Sequence, residues 1–435
     1  MEPPMLGRKR PLFFGHENEP PLYTKKCLAG LKTLLDRYQS DSRATQHARL
    51  QMSCCHLHTR KASVNAETDN KRLFEQILLW ADTQRSAGKV LEHLKLRQAT
   101  DDIFLNDPVN NKFLAFHHDF TEECGSEVKQ HSWAVIEKQE EVIMYGPYYP
   151  NYNNGQHSED IIIKQTQELL ESEEVSEDWK VYVFTINSPC LARNTDPCML
   201  NLIQKAQEWW TVYGVKTHIG YVRCWGFKGT KENLFRDIDY SQVDCINQTE
   251  DHEDYIKAAD KRTGLNPLCK NLSSAVKHLL RSVNLSFSLM TSVQGQDWKS
   301  YFEKMHSIFE CKPEDEKTVF TQELNATIEA AQALLSERSG SFEEHLESGK
   351  AFALDYTFSP QVSDALQDQM RLTFQQCWRE MVQDKYAELI REKLTEDFNQ
   401  RAVQLFIKDI AKFTNKYLEI GRIQFPEEVK KPASC

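Results

Sequence analysis

The period of the apolar positions changes along the chain, and each change predicts a different kind of element. From Lys71 to Leu96, the residues Leu73, Ile77, Leu78, Trp80, Ala81, Val90, Leu91 and Leu94 recur near 3.6, the period of one helix face. Ser132–Ile136 and Glu141–Tyr145 then read as two short strands around the polar turn 137–140. Gly146-Pro147-Tyr148-Tyr149-Pro150 breaks regular structure, and Asn151 to Gln156 has turn composition. A helix opens at Ser158, with Ile161, Ile162, Leu169 and Leu170 as its apolar positions. Trp179 to Ile186 is almost continuously apolar, which suits a strand buried on both faces. Pro197 to Tyr213 is predicted as a helix with Met199, Ile203, Ala206, Trp210 and Tyr213 on one face and Gly214 at its end. Thr217 to Phe227 reads as a strand, Thr230 to Ile238 as a short helix, and Gln242 to Ile246 as a last strand.

That alternation predicts an α/β layer with some parallel neighbours. Beyond about Asp254 the pattern is helical almost to the end, over Leu272–Ser286, Trp298–Phe309, Thr318–Leu335, Ser363–Trp378 and Val382–Phe413. The expected organisation is a loose basic region over 1–68, with a short helical pattern at Lys26–Tyr38, and a helical extension over 69–125. A sheet-bearing unit over 126–248 and a separate, mostly α-helical C-terminal domain over 249–435 follow.

Composition refines this. Apolar residues are 40% and charged residues 27% of 435, as in ordinary globular domains. No run approaches the roughly 18 apolar residues of a membrane span, so no membrane partner is expected. Met1 to Pro11 lacks an apolar signal core, which points to a cytoplasmic or nuclear protein; Gly7-Arg8-Lys9-Arg10-Pro11 is a candidate import patch. On that reading most of the 12 cysteines are reduced thiols, and the sequons at Asn247, Asn271, Asn284 and Asn325 carry no weight. The net charge of −11 is uneven. Residues 1–99 hold 17 basic against 10 acidic side chains, and residues 131–245 hold 10 against 17. The basic part leaves room for an electrostatic footprint on nucleic acid; the acidic part argues against tight polynucleotide binding by that segment alone.

The chemistry gathers in the acidic segment. His157 and Glu159 stand at the start of a predicted helix, Cys190 at the end of a buried strand, and Cys198 at the start of the next helix. Helix N-termini at the strand ends of an α/β sheet can converge on one point. One imidazole and two thiolates suit tetrahedral Zn²⁺ with a fourth position open to water, whose pKa the metal lowers. Glu159, two residues from His157, can move the proton.

His157-Ser158-Glu159 followed by Ser188-Pro189-Cys190 and, after seven residues, Cys198 resembles the zinc-dependent cytidine deaminase superfamily, and most closely its AID/APOBEC-like branch. The resemblance covers Trp133 to Asn247. It implies a mixed five-stranded deaminase-like sheet with flanking helices, Zn²⁺ on His157, Cys190 and Cys198, and Glu159 as proton shuttle. The implied activity is hydrolytic deamination of cytosine, in single-stranded DNA or RNA or in a free nucleoside or nucleotide. Two features depart from the family. The seven-residue spacing requires an inserted loop, Leu191 to Pro197, that returns Cys198 to the metal, and Asn187 stands where a tryptophan usually precedes Ser-Pro-Cys.

Further candidates carry two readings each. An asparagine of the Asn151, Asn153, Asn154 loop, with Asn153 and Asn154 equally placed, would bond the nucleotide or simply make the turn. Trp225 and Phe227 would stack on a base flanking the target or belong to the core. Tyr148 and Tyr149 divide the same way, and Arg223 would meet a phosphate or lie in solvent. Cys54, Cys55, His56 and His58 lack a second pair at zinc-finger spacing. His117 and His118 read as ordinary helix or loop residues. The alternative to an enzyme is an interaction protein that keeps the deaminase-like scaffold and binds a protein partner through its C-terminal helices.

Overall fold

A computed structural model describes residues 64–95, 102–124, 129–139, 141–172, 178–193, 196–228, 235–236, 238–248, 275–281, 285–289, 298–309, 314–335 and 339–426. The candidate import patch, the Lys26–Tyr38 helix, the Cys54–His58 cluster and most of the Thr230–Ile238 helix lie outside them. The chain divides into two compact units. One takes in Met1–Val90, Ala99–Lys231 and Asn399–Cys435; the other takes in Leu91–Gln98 and Glu232–Phe398.

The first unit is built on a mixed five-stranded sheet. Its strands are β1 (Ser132–Glu137), β2 (Val142–Tyr148), β3 (Lys180–Asn187), β4 (Lys216–Arg223) and β5 (Leu418–Arg422), in the order β2-β1-β3-β4-β5. β1 is antiparallel to β2 and β3, whereas β3, β4 and β5 run parallel. The fold is therefore α/β with flanking helices, as the sequence predicts, but its fifth strand comes from the far end of the chain. Gln242–Ile246 is not a strand and lies within the helix Tyr240–Gln248. The pattern there is short and equally compatible with one helical face. β5 instead pairs Leu418 with Thr217 and Ile420 with Ile219, and its outer side is covered where Arg422 N–H donates to the Ile103 carbonyl.

A helix over Asp107–Cys124 covers one sheet face. Its Val109, Phe113, Phe116 and Phe120 recur at helical spacing and are buried. Phe120 stacks on Trp133 at 4.6 Å and Trp133 on Phe184 at 4.5 Å, so three aromatic rings build that layer. His117 lies in this helix, stacked on Phe184 at 5.2 Å, and His118 lies beside it on the exposed side.

Two helices that carry the candidate site, Ser158–Glu171 and Cys198–Tyr213, belong to the same unit. The first is tied to β2 where the Tyr145 and Thr166 hydroxyls meet at 2.6 Å. The second is tied to the first by Trp209 Nε1 donating to Gln167 Oε1 at 2.9 Å. Its buried tryptophan is Trp209; Trp210, which the pattern placed on the apolar face, is 38% exposed. Gly214 ends that helix in the left-handed region (φ 72°), where glycine carries no Cβ penalty.

The long helical patterns also settle differently in places. Lys71–Leu96 is two helices, Val64–Ala81 and Thr83–Lys95, with the Asp82 carboxylate accepting from Arg85 N–H at the new start. Ser363–Trp378 and Val382–Phe413 are one helix, Asp364–Thr414. Trp298–Phe309 is 3₁₀ rather than α-helical. In the second unit, Phe302, Leu324, Met370, Phe374 and Trp378 are buried in one apolar cluster.

Candidate metal centre

His157, Cys190 and Cys198 meet at one point. Their potential ligand atoms all lie within 4.8 Å of one another, and they are the one such group among the described residues. Local structure explains each position. His157 is the N-cap of the helix Ser158–Glu171, in extended backbone, and its N–H donates to Asp160 Oδ2 at 2.9 Å. Cys190 follows the end of β3, where Ser188 N–H donates to the Arg223 carbonyl at 2.6 Å and Leu191 N–H to the Gly226 carbonyl at 2.9 Å. Cys198 is the first residue of its helix, after Pro197 at the N-cap. Its backbone N–H donates to Cys190 Sγ at 3.4 Å, so a helix N-terminus faces the sulfur that would carry the charge.

The separations suit a metal. His157 Nδ1 is 3.8 Å from Cys190 Sγ and 3.3 Å from Cys198 Sγ. Tetrahedral zinc, with Zn–S of about 2.3 Å and Zn–N of about 2.0 Å, sets nitrogen and sulfur about 3.6 Å apart. Both cysteines are free thiols, and both are buried. The residues present therefore fit zinc.

The electrostatics favour one negative sulfur. Hydrogen bonding from the Cys198 thiol, with further bonds from His157 and the Cys198 amide, holds the Cys190 thiol down at about 5. Donation to Cys190, together with burial, pushes Cys198 well above the ordinary thiol value. His157 is raised, chiefly by its bond to Cys190. Glu159 is not among the converging ligand atoms, yet it is 3% exposed beside them. Burial pushes its carboxyl up to about 7, and the negative Cys190 acts in the same direction. The Ser158 hydroxyl donates to Glu159 Oε2 at 3.1 Å and meets the Ser132 hydroxyl at 2.7 Å, so β1 orients this carboxylate through two serines.

The structure treats the remaining candidates unequally. In the 151–156 turn, Asn151 Oδ1 accepts from Asn153 N–H and Asn154 Oδ1 from Gln156 N–H, each at 3.2 Å. Turn chemistry therefore engages the Asn154 carbonyl oxygen, while Asn153 sits exposed at the tip beside Tyr152. Tyr149 is 43% exposed and lies 6.0 Å from the His131 ring. Tyr148 is half-buried, and Arg223 is exposed at the end of β4. Trp225 is half-buried, with the Lys228 ammonium 5.8 Å from its ring. Phe227 is a correction. It is 6% exposed, stacks against Trp80 at 6.3 Å and is sealed in the core, so it is not available to a nucleotide. Arg193 and Asp160 escaped the sequence reading, although an acid at the third position after a helix N-cap is a recognisable start signal.

A family model described as Secreted Novel AID/APOBEC-like Deaminase 3 matches residues 42–420. The chain belongs to this family. The match runs from before the first described helix through four strands and into β5, so it takes in the helical segments as well as the cluster of His157, Cys190 and Cys198. No curated protein and no solved structure matches the chain.

The family's description as secreted overturns the expectation of a cytoplasmic or nuclear protein. That expectation rested on the composition of the first eleven residues. No described helix is long and apolar enough to cross a membrane. The ground for discounting the sequons falls with it, and Asn325 of Asn325-Ala326-Thr327 is exposed on the helix Glu314–Ala331.

Proposed function

We propose that this secreted AID/APOBEC-like protein binds zinc through His157, Cys190 and Cys198 and hydrolytically deaminates cytosine, with single-stranded nucleic acid as the favoured substrate class. The observation that carries the reading is the buried Glu159 carboxylate, two residues from His157 and beside three converging ligand atoms. A purely structural zinc site has no use for a buried acid that is not a ligand.

Zinc bound there supplies Lewis acidity, which makes water nucleophilic near neutral pH. The chain's own residues do the rest. Water adds at C4 of the cytosine, and Glu159 takes its proton. Glu159 passes that proton to ring N3, then takes the second proton from the C4 hydroxyl and delivers it to the exocyclic nitrogen; the C4–N4 bond breaks as the C4 carbonyl forms, and ammonia leaves with uracil as product. Ser158 and Ser132 keep the Glu159 carboxylate oriented for both transfers. Cys190 and Cys198, buried after a strand end and at a helix start, would hold the metal with His157. Asn153, at the exposed turn before His157, and Trp225, after β4, are the side chains proposed to meet the substrate.

The experiment measures zinc per chain and uracil formation from single-stranded DNA, RNA and cytidine, for wild type and Glu159→Gln. One zinc per chain, uracil from wild type and none from the variant would support the reading. One zinc per chain with no uracil from any substrate would replace it with a non-catalytic role for the same scaffold.

A further inference from the structure

The two cysteines are separated by seven residues, a span long enough to let Cys198 drift from the centre. Arg193 lies within it. The Arg193 guanidinium makes a two-pronged pair with Asp160, Nη1 to Oδ2 at 2.8 Å and Nη2 to Oδ1 at 2.9 Å. Its Nε–H donates to the Asp196 carbonyl, two residues before Cys198. The Arg193 side chain is 9% exposed and that of Asp160 25%, so the pair is largely shielded from water. Asp160 Oδ2 also accepts from the His157 N–H. One carboxylate thus holds the backbone of the histidine ligand and, through Arg193, the segment that leads to the second cysteine.

We propose that Arg193 is a positioning residue that sets Cys198 relative to His157 by clamping the inter-cysteine segment to Asp160. The inference rests on the zinc reading for its functional meaning. A planar fork suits the task, because two parallel charge-assisted bonds fix direction as well as distance. Lysine keeps the charge but loses the fork. The pair accounts for how a seven-residue spacing still returns Cys198 to 3.3 Å from His157 Nδ1.

The test uses the full chain with Arg193→Ala, Arg193→Lys, Asp160→Asn and the double variant Arg193→Ala/Asp160→Asn. The Asp160→Asn substitution keeps an acceptor for His157 N–H while breaking the fork. Zinc affinity is read by chelator competition, ligand geometry from the absorption of the cobalt(II)-loaded protein, and Cys198 access from its alkylation rate in metal-free protein. Arg193→Ala is expected to weaken zinc binding about 10- to 100-fold, to shift the cobalt spectrum, and to raise Cys198 alkylation severalfold. Arg193→Lys should fall between, and the double variant should add little to either single one. Unchanged alkylation and unchanged metal affinity in Arg193→Ala would overturn the proposal, as would effects that simply add in the double variant. Should wild type bind no metal, the zinc reading fails by itself, and the alkylation rates still decide whether Arg193 holds Cys198 in place.

Discussion

The Phe227 N–H donates to Asn399 Oδ1 at 2.6 Å, across 172 residues of chain. Gly226, just before it, has φ 56°, and a Cβ there would lie 2.7 Å from the same oxygen. A residue near the end of the sequence therefore shapes the loop after β4, whose Gly226 carbonyl in turn accepts from Leu191 beside Cys190. Asn399→Ala leaves a buried N–H without that acceptor, which costs about 1–3 kcal/mol. A urea-melt loss in that range and a change in Trp225 fluorescence are expected. Asn399→Asp keeps an acceptor and should lose less. Equal losses for the two variants would mean that the bond does not set the loop.

Ser158 offers a separate test of the acid. Its buried hydroxyl donates to Glu159 Oε2 and meets the Ser132 hydroxyl, and it is not one of the three converging ligand residues. Ser158→Ala should keep one zinc per chain and lower kcat for cytosine deamination by about tenfold. Glu159→Gln should lower it by about 10² to 10⁴, the usual worth of a positioned acid–base group. Metal analysis beside steady-state kinetics checks both. Loss of zinc from Ser158→Ala would reassign Ser158 to holding the centre together.

A metal bound only by the folded chain stabilises it by mass action, by about 4 kcal/mol when free zinc is a thousandfold above Kd. Chelation should therefore lower the Tm of wild type measurably. It should leave the Tm of Cys190→Ser and Cys198→Ser unchanged, because those variants lack a ligand. Calorimetry with and without chelator makes the comparison. An equal chelator effect in wild type and both variants would remove these cysteines from the site.

Much of this was legible because it is local. β1 to β4 and the two site helices follow from hydrophobic period and turn residues within about 90 residues of sequence, and His157, Cys190 and Cys198 fall at their ends. What was not legible depends on distant partners. Leu418–Arg422 becomes a strand only because β4 offers it an unpaired parallel edge, whereas Gln242–Ile246 has no such edge and stays helical. The adjacent Trp209 and Trp210 differ by about 100° around one helix, and it is Trp209 that faces the neighbouring helix and bonds Gln167. Phe227 carries two readings in the sequence, a base-stacking aromatic or a core one, and only the distant Trp80 and Asn399 place it in the core.

In the helical unit, Gly349 marks a close approach. A Cβ on it would lie 2.1 Å from Trp378 Cδ1. Trp378 cannot easily yield, since it is buried and its Nε1 donates to the His345 carbonyl at 2.8 Å. Helix propensity alone would make Gly349→Ala stabilising by up to about 1 kcal/mol. Overpacking, which costs about 1–3 kcal/mol, should win. A lower denaturant midpoint for Gly349→Ala, restored in part by adding Trp378→Phe, is expected. A higher midpoint would show that the helices move apart at little cost.

Acid sensitivity follows from two carboxylates of the sheet unit. Burial works to raise Glu419, but bonds from His218 and from the Asn106 amide outweigh it, and the group sits below its ordinary 4.5. Glu137 is similar: burial raises it, and bonds from Lys112 and Tyr182 bring it below 4.5. A carboxyl whose folded value lies below its unfolded one binds its proton less readily when folded. Its contribution is present above the unfolded value and is lost as pH falls through that value to the folded one. Stability should thus decline from about pH 5 downward as these groups protonate. Glu419→Gln should cost about 1 kcal/mol at neutral pH, an amount discounted for partial exposure. That difference should shrink as pH falls below the ordinary carboxylate range. Urea midpoints for wild type, Glu419→Gln and Glu137→Gln across that range test the sign. A gap that stays constant with pH would show that the loss comes from packing rather than from the charge.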